Sequence, residues 1–236
     1  MAVFFIKAVI YKIDKLKITD LRYMIIAIDG PAASGKGTLA KKLAEYFNLG
    51  YLDTGSIYRA LGYKITSAGG DPYDKKIAIQ MAKELNEEDM KNPHLYDEGV
   101  GRAASIVAVI KEVREILYEY QREFSQRPGG AVLDGRDIGT IICPDADLKF
   151  YITADIEDRA ERRFKQLQNK GINIIYQSVL EDLQRRDERD SGRTVAPLVK
   201  AEDAIHIDTT NMPVSEVFEK IVLFIYNKQK KIAGNK

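Results

Sequence analysis

The sequence predicts an α/β fold in which a five-stranded parallel sheet is flanked by helices, and three observations carry that prediction. Short apolar runs ending in turn residues alternate with stretches whose apolar residues recur at helical spacing. The runs are apolar almost throughout, the mark of strands covered on both faces. A glycine-containing loop joins the first run to the first helical stretch. At 236 residues, 45% hydrophobic and 30% charged, the chain has the size and composition of a globular α/β protein.

Met24–Asp29 reads as the first strand, followed by a helix over Lys36–Phe47 with Leu39, Ala40, Leu43, Ala44 and Phe47 on one side. Gly50–Asp53 is a second strand, and a helix over about 55–67 ends before Gly69-Gly70-Asp71-Pro72. Residues 74–126 read as helices. The last of them is expected to be long, running through Val100, Ala103, Ala104, Val107, Val109, Ile110, Arg114, Leu117 and Phe124 and stopping at Pro128-Gly129-Gly130. Three more strands are expected at Ala131–Asp134, Leu148–Ile152 and Ala204–Asp208, all buried in the sheet. Val214–Tyr226 carries Val217, Ile221, Phe224 and Ile225 on one helical face, and Lys228–Lys236 reads as a solvated tail.

Lys+Arg number 36 against 35 Asp+Glu, a net charge of +1, so no overall field draws the chain to nucleic acid or an anionic membrane. The apolar start, Met1 to Tyr11, is interrupted by Lys7 and falls short of the about 20 residues a spanning helix needs. Residues 1–23 are expected to be an extension without function, with Met24 as the start of the folded chain. One cysteine, Cys143, makes no internal disulfide, and His94 and His206 build no zinc cluster, so a reducing, cytoplasmic compartment is expected. Cys143 and His206 read as structural.

Gly30-Pro31-Ala32-Ala33-Ser34-Gly35-Lys36-Gly37-Thr38 lies between a strand and a helix, the setting of a phosphate-binding loop. Its backbone N–H groups and the helix N-terminus cradle phosphate, and Lys36, read as exposed, reaches the outer phosphates. Gly37 stands where most such loops place the hydroxyl that ligates Mg²⁺, and the hydroxyl comes one residue later at Thr38. Arg159, Arg162 and Arg163 share one helical face, and Arg186, Arg189, Asp190 and Arg193 another, an arrangement suited to clamping the charge of a transferring phosphoryl group. The acids interleaved among them argue against a groove that tracks a nucleic-acid backbone.

Leu52-Asp53-Thr54-Gly55-Ser56-Ile57-Tyr58-Arg59, Leu133-Asp134-Gly135-Arg136-Asp137-Ile138-Gly139-Thr140 and Arg186 to Leu198, together with the loop and Ile207-Asp208-Thr209, resemble bacterial cytidylate kinase, a nucleoside monophosphate kinase family. The resemblance implies a P-loop kinase fold with core 24–68, 127–158 and 195–236, a monophosphate-binding insert over 69–126 and a lid over 159–194. It implies transfer of the γ-phosphoryl group of ATP to CMP or dCMP, with Mg²⁺ held largely through water and no direct protein ligand. Gly30 to Thr38 and Arg163 would bind ATP. Thr54, Arg59 and Arg136 would hold the acceptor phosphate, Ser105, Arg114 and Asp137 would read cytosine, and Arg186 and Asp190 would meet the sugar. Lys36, Arg136, Arg159, Arg189 and Arg193 would be the catalytic cations. A monomer acting on small molecules, with no nucleic-acid or membrane partner, is the family expectation.

The chain departs from the family between Arg59 and Ser105. The insert is short, without the family's Ile-Arg-Thr element, and holds Asn92-Pro93-His94-Leu95-Tyr96 instead. Two other readings of the loop are another small-molecule P-loop kinase and a nucleotide-binding protein without catalysis. The Asp-Gly-Arg-Asp strand end and the Arg-Asp helix face argue against the first, and turnover would exclude the second.

Overall fold

The computed structural model describes residues 24–97 and 99–233. Five parallel strands, β1 (Ile25–Asp29), β2 (Gly50–Asp53), β3 (Ala131–Gly135), β4 (Leu148–Thr153) and β5 (Ile205–Asp208), form one sheet in the order β2-β3-β1-β4-β5. The central strand β1 has Ile26 opposite Val132 on one side and Leu148 on the other, and Ile26, Ala27 and Ile28 are completely buried. Residues 1–23 and 234–236, on which the extension and the end of the tail were expected, lie outside the described residues.

Alternation along β1 divides the core. Ile26 and Ile28 pack with Phe150 against α1 (Lys36–Phe47) and α9 (Val214–Ala233), through Leu39, Leu43, Ile221 and Ile225. Ala27 and Leu133 face the other layer, α2 (Thr54–Ser67), α5 (Val100–Val107) and α6 (Lys111–Ser125), through Leu61, Val107, Val113 and Leu117. The helices α3 (Lys75–Lys83) and α4 (Glu87–Met90) and a 3₁₀ turn at Pro93–Tyr96 pack on α2. The pair α7 (Ile156–Gln168) and α8 (Tyr176–Gly192) has its own apolar cluster of Ala160, Leu167, Val179 and Leu183, which also takes in Ala32 of the glycine loop.

Three expectations are corrected. The single long helix through Val100 and Phe124 is two, because Ala108 ends α5 and Ile110 takes an extended conformation before α6. Val107 and Val113 are both buried while Val109 is exposed, and Arg114 Nη1 donates to the freed carbonyl of Ala108 at 3.4 Å. β5 is half-covered rather than buried: His206 and Asp208 point to solvent, as suits a short edge strand, and the His206 ring meets the Thr153 hydroxyl at 2.7 Å. The last helix continues to Ala233, through most of the stretch expected as a tail. Cys143 is buried, as its apolar setting predicts.

Candidate functional site

Parallel strands place their carboxyl ends along one edge of the sheet, where α/β folds bind ligands. Here that edge carries Asp29, Asp53 beside Asp134, and Asp208. Gly30 leaves β1 so close to β4 that a Cβ on it would stand 2.0 Å from the Ile152 carbonyl oxygen. The chain then curls through Ala33, at φ 60°, and Gly35, at φ 86°, and enters α1. Holding a non-glycine residue in the left-handed region costs about 1 kcal/mol or more, strain that is characteristic of ligand-binding loops.

Lys36 is buried, not exposed, and its ammonium donates to the Pro31 carbonyl at 3.2 Å, inside the curl of the loop. Burial and then Arg136 push its pKa down, against the pull of Asp134. Asp134, at the end of β3, accepts from the Tyr51 hydroxyl at 2.9 Å, while its own carbonyl takes the Thr54 hydroxyl at 2.9 Å. Burial and the neighbouring Asp53 push Asp134 upward. Thr38 is exposed on the first turn of α1.

Two mutually repelling carboxylates beside a phosphate loop fit a divalent cation bound through water and substrate phosphates, the habit of Mg²⁺. Among the described residues no group of three or more His, Cys, Asp and Glu side chains converges to hold a metal by itself.

Beyond β3 the predicted acceptor residues come together. Arg136 Nε donates to Asp190 Oδ2 at 2.7 Å, tying the strand end to α8, and although burial works against its charge, Asp190 raises its pKa. Arg114 forms a close, buried ion pair with Asp137, whose other oxygen lies 3.7 Å from Arg193 Nη2. Ser105 is buried on α5, its hydroxyl donating back to the Gly101 carbonyl at 3.1 Å. Arg59, Arg163, Arg186 and Arg189 line one cavity of about 460 Å³ between the insert and the α7–α8 pair. Arg186 is pushed down by burial and then by Arg136 and Arg59, and Arg163 by burial. Arg193 lies just past the end of α8 in extended backbone, with its Nε donating to the Ala196 carbonyl. Arg159 is buried, and its guanidinium reaches Ala32 O and Asp187.

Several donors here are buried without a hydrogen-bond acceptor: Ser34 Oγ, Arg186 Nε, Arg189 Nε and Arg193 Nη2. Buried donors are normally satisfied, so a cluster of unsatisfied guanidinium and hydroxyl groups around a phosphate loop is suited to an anion.

Sequence reading missed three contributors. Arg162 was placed on the face of α7 with Arg159 but given no role; its Nη2 donates to Thr209 O at 2.6 Å and its Nη1 approaches Ser34 O at 3.5 Å, linking α7, the loop and the residue after β5. Asp29 accepts from the N–H groups of Ile138 and Gly139, both at 2.8 Å, and so fixes the turn that follows Asp137. Its position at the mouth of β1 was the available signal. Tyr96 donates to Asp53 Oδ2 at 2.9 Å, and no motif announced it.

Comparison with known proteins gives the family. The family described as Cytidylate kinase matches residues 26–227. Curated cytidylate kinases from Paramagnetospirillum magneticum and Methylocella silvestris are each 50% identical, covering 87% and 86% of this chain and 99% and 94% of their own lengths. One from Rhodospirillum rubrum is 45% identical over 88% of this chain and all of its own. A solved structure of an uncharacterized protein from Eubacterium ventriosum superposes with a TM-score of 0.52 at 16% identity, covering 86% of this chain and 98% of its own, a likeness of fold alone. With the family matched over residues 26–227 and relatives at half identity covered along nearly their whole length, this chain belongs to the cytidylate kinase family.

Proposed function

We propose that the chain transfers the γ-phosphoryl group of ATP to the phosphate of CMP or dCMP, giving ADP and CDP or dCDP. The observation that carries this reading is the set of buried donors without acceptors, Ser34 Oγ and the guanidinium nitrogens of Arg186, Arg189 and Arg193, gathered with Lys36 at the carboxyl edge of the sheet. Family membership at about half identity supplies the phosphoryl donor and the pyrimidine acceptor.

An oxygen of the acceptor phosphate forms a bond to the γ-phosphorus as the bond to the β-phosphate oxygen breaks. A nucleoside monophosphate has its second pKa near 6, so at pH 7 it is already a nucleophile and requires no base. The protein's work is placement and charge. The loop N–H groups and Lys36 hold the donor phosphates, Arg59 and Arg136 the acceptor phosphate, and Arg159, Arg163, Arg189 and Arg193 surround the group in transit. Arg186 and Asp190 take the sugar. Ser105, Arg114 and Asp137 read the base, where a carboxylate accepts from the exocyclic amine that uracil lacks. Asp53 and Asp134 would hold a Mg²⁺ bound with ATP through water, with Thr38 near the phosphates, and the ion would supply neutralisation of donor-phosphate charge.

Among the described residues no helix is long and apolar enough to cross a membrane. We take the enzyme to act on free nucleotides in the cytoplasm as a monomer. The test is a coupled assay with ATP and Mg²⁺ offering CMP, dCMP, UMP and AMP, with Lys36→Ala as the blank. Rapid ADP release with CMP and dCMP is expected; no CDP from CMP would sink the reading.

A further inference from the structure

The 3₁₀ turn Pro93–Tyr96 packs on α2 beside Arg59. Leu95 is fully buried, which fixes the turn on α2, and its carbonyl accepts from Arg59 Nη1 at 3.2 Å. The Arg59 guanidinium carbon lies 5.3 Å from the centre of the Tyr96 ring. The guanidinium is also close to Gly101, where an added Cβ would stand 3.2 and 3.3 Å from its two terminal nitrogens. Arg59 is therefore packed by both an aromatic ring and a glycine of α5.

Tyr96 is itself held. Its hydroxyl donates to Asp53 Oδ2 at 2.9 Å, while Asp53 Oδ1 accepts from Ser56 N at 3.2 Å and caps α2. The Lys170 ammonium, from the turn between α7 and α8, lies 5.7 Å from the centre of the same ring. One phenol thus meets the end of β2, the arginine of α2 and the tip of the helix pair that closes the cavity.

We infer that Tyr96 is the positioning residue that seats Arg59 for the acceptor phosphate. Arginine is long and has many rotamers, and an arginine seated on a ring gives up less freedom when a phosphate binds it. The ring faces Arg59 on the acceptor side, and only the phenol hydroxyl reaches towards the donor side, through Asp53. The ring does the seating, and the turn anchored by the buried Leu95 carries the ring.

The inference rests on the reading of Arg59 as an acceptor-phosphate ligand, so wild-type CMP turnover is measured first; its absence removes that reading and this one together. With turnover established, Tyr96→Leu is expected to raise KM for CMP about tenfold and leave KM for ATP within about twofold. Tyr96→Phe keeps the ring and is expected to stay within about twofold of wild type for both substrates. Gly101→Ala presses on the Arg59 guanidinium and is expected to raise KM for CMP without lowering the melting temperature, since alanine favours the helix. The Nε–H resonance of Arg59 provides a readout free of turnover: ring-current shifted in wild type and Tyr96→Phe, and unshifted in Tyr96→Leu. A Tyr96→Leu enzyme with wild-type KM for CMP, equal rises for CMP and ATP, or a Tyr96→Phe enzyme as impaired as Tyr96→Leu would each overturn the inference while leaving the proposed function standing.

Discussion

Arg159 ties the phosphate loop to α8: its Nη2 meets Asp187 Oδ2 at 2.7 Å, its Nη1 reaches the Ala32 carbonyl at 3.3 Å, and its Nε donates to Ala154 O at 2.9 Å. A cation proposed for the clamp is thereby fixed by backbone carbonyls and a carboxylate. Asp187→Ala leaves a buried guanidinium without its counter-charge, which costs about 3 kcal/mol when such a pair is broken from one side. We expect kcat to fall about tenfold or more, KM for CMP to change less, and chemical denaturation to show the loss of stability. An unaltered kcat in a destabilised enzyme would confine Asp187 to structure.

Asp137 is engaged by Arg114 on one oxygen and faces Arg193 with the other, so in the protein alone it is a counter-ion, and reading the base is its proposed role. Asp137→Asn keeps the shape and removes the charge. The ratio of kcat/KM for CMP to that for UMP is expected to fall about tenfold or more, because the acceptor for cytosine's amine weakens while uracil has no such donor to lose. Parallel coupled assays give the ratio, and an unchanged one would take Asp137 out of base selection.

Local pattern made the scaffold legible and left the coupling between its parts hidden. The five strands, the loop and α1 follow from contiguous residues whose chemistry has one sensible setting, such as Ile26 to Ile28 running into Gly30. The break at 108–110 does not, because Val107, Val109 and Ile110 sustain a helical spacing that packing then overrides, sending Val109 to solvent. Lys36 belongs to a residue type normally solvated, and only the closed curl of the loop buries it. Arg162 and Tyr96 work through partners distant in sequence, Thr209 and Asp53, and no spacing rule reports that.

Asp29 provides a pH test. Burial raises its pKa from 3.8 to about 6, even though two backbone N–H groups pull the other way. Between those values the folded chain keeps a proton that the unfolded chain has released, so this group's contribution to stability falls as pH rises through the window and is level above it. The span corresponds to about 3 kcal/mol. Unfolding free energies of wild type and Asp29→Asn, measured from pH 4 to 7, should diverge by about that amount, wild type losing ground as pH rises. A difference independent of pH would mean that Asp29 titrates normally.

Two glycines of the same loop should respond in opposite ways. A Cβ at Gly30 would lie 2.0 Å from the Ile152 carbonyl oxygen, backbone held in the sheet by β4, and only displacement of β1 from β4 could make room for it. Gly30→Ala is expected to cost about 4 kcal/mol or more, or to prevent folding. At Gly37 the same atom would meet Asp134 Oδ2 at 3.5 Å and the Tyr51 hydroxyl at 3.7 Å, ordinary contact distances on a helical turn. Gly37→Ala is therefore expected to match wild type or exceed it by up to about 1 kcal/mol, the helical preference for alanine. Melting temperatures of the two variants decide the matter. Equal losses would mean that the loop tolerates no side chain at either position, and that Gly37 is needed for close backbone approach rather than being a site where a hydroxyl could stand.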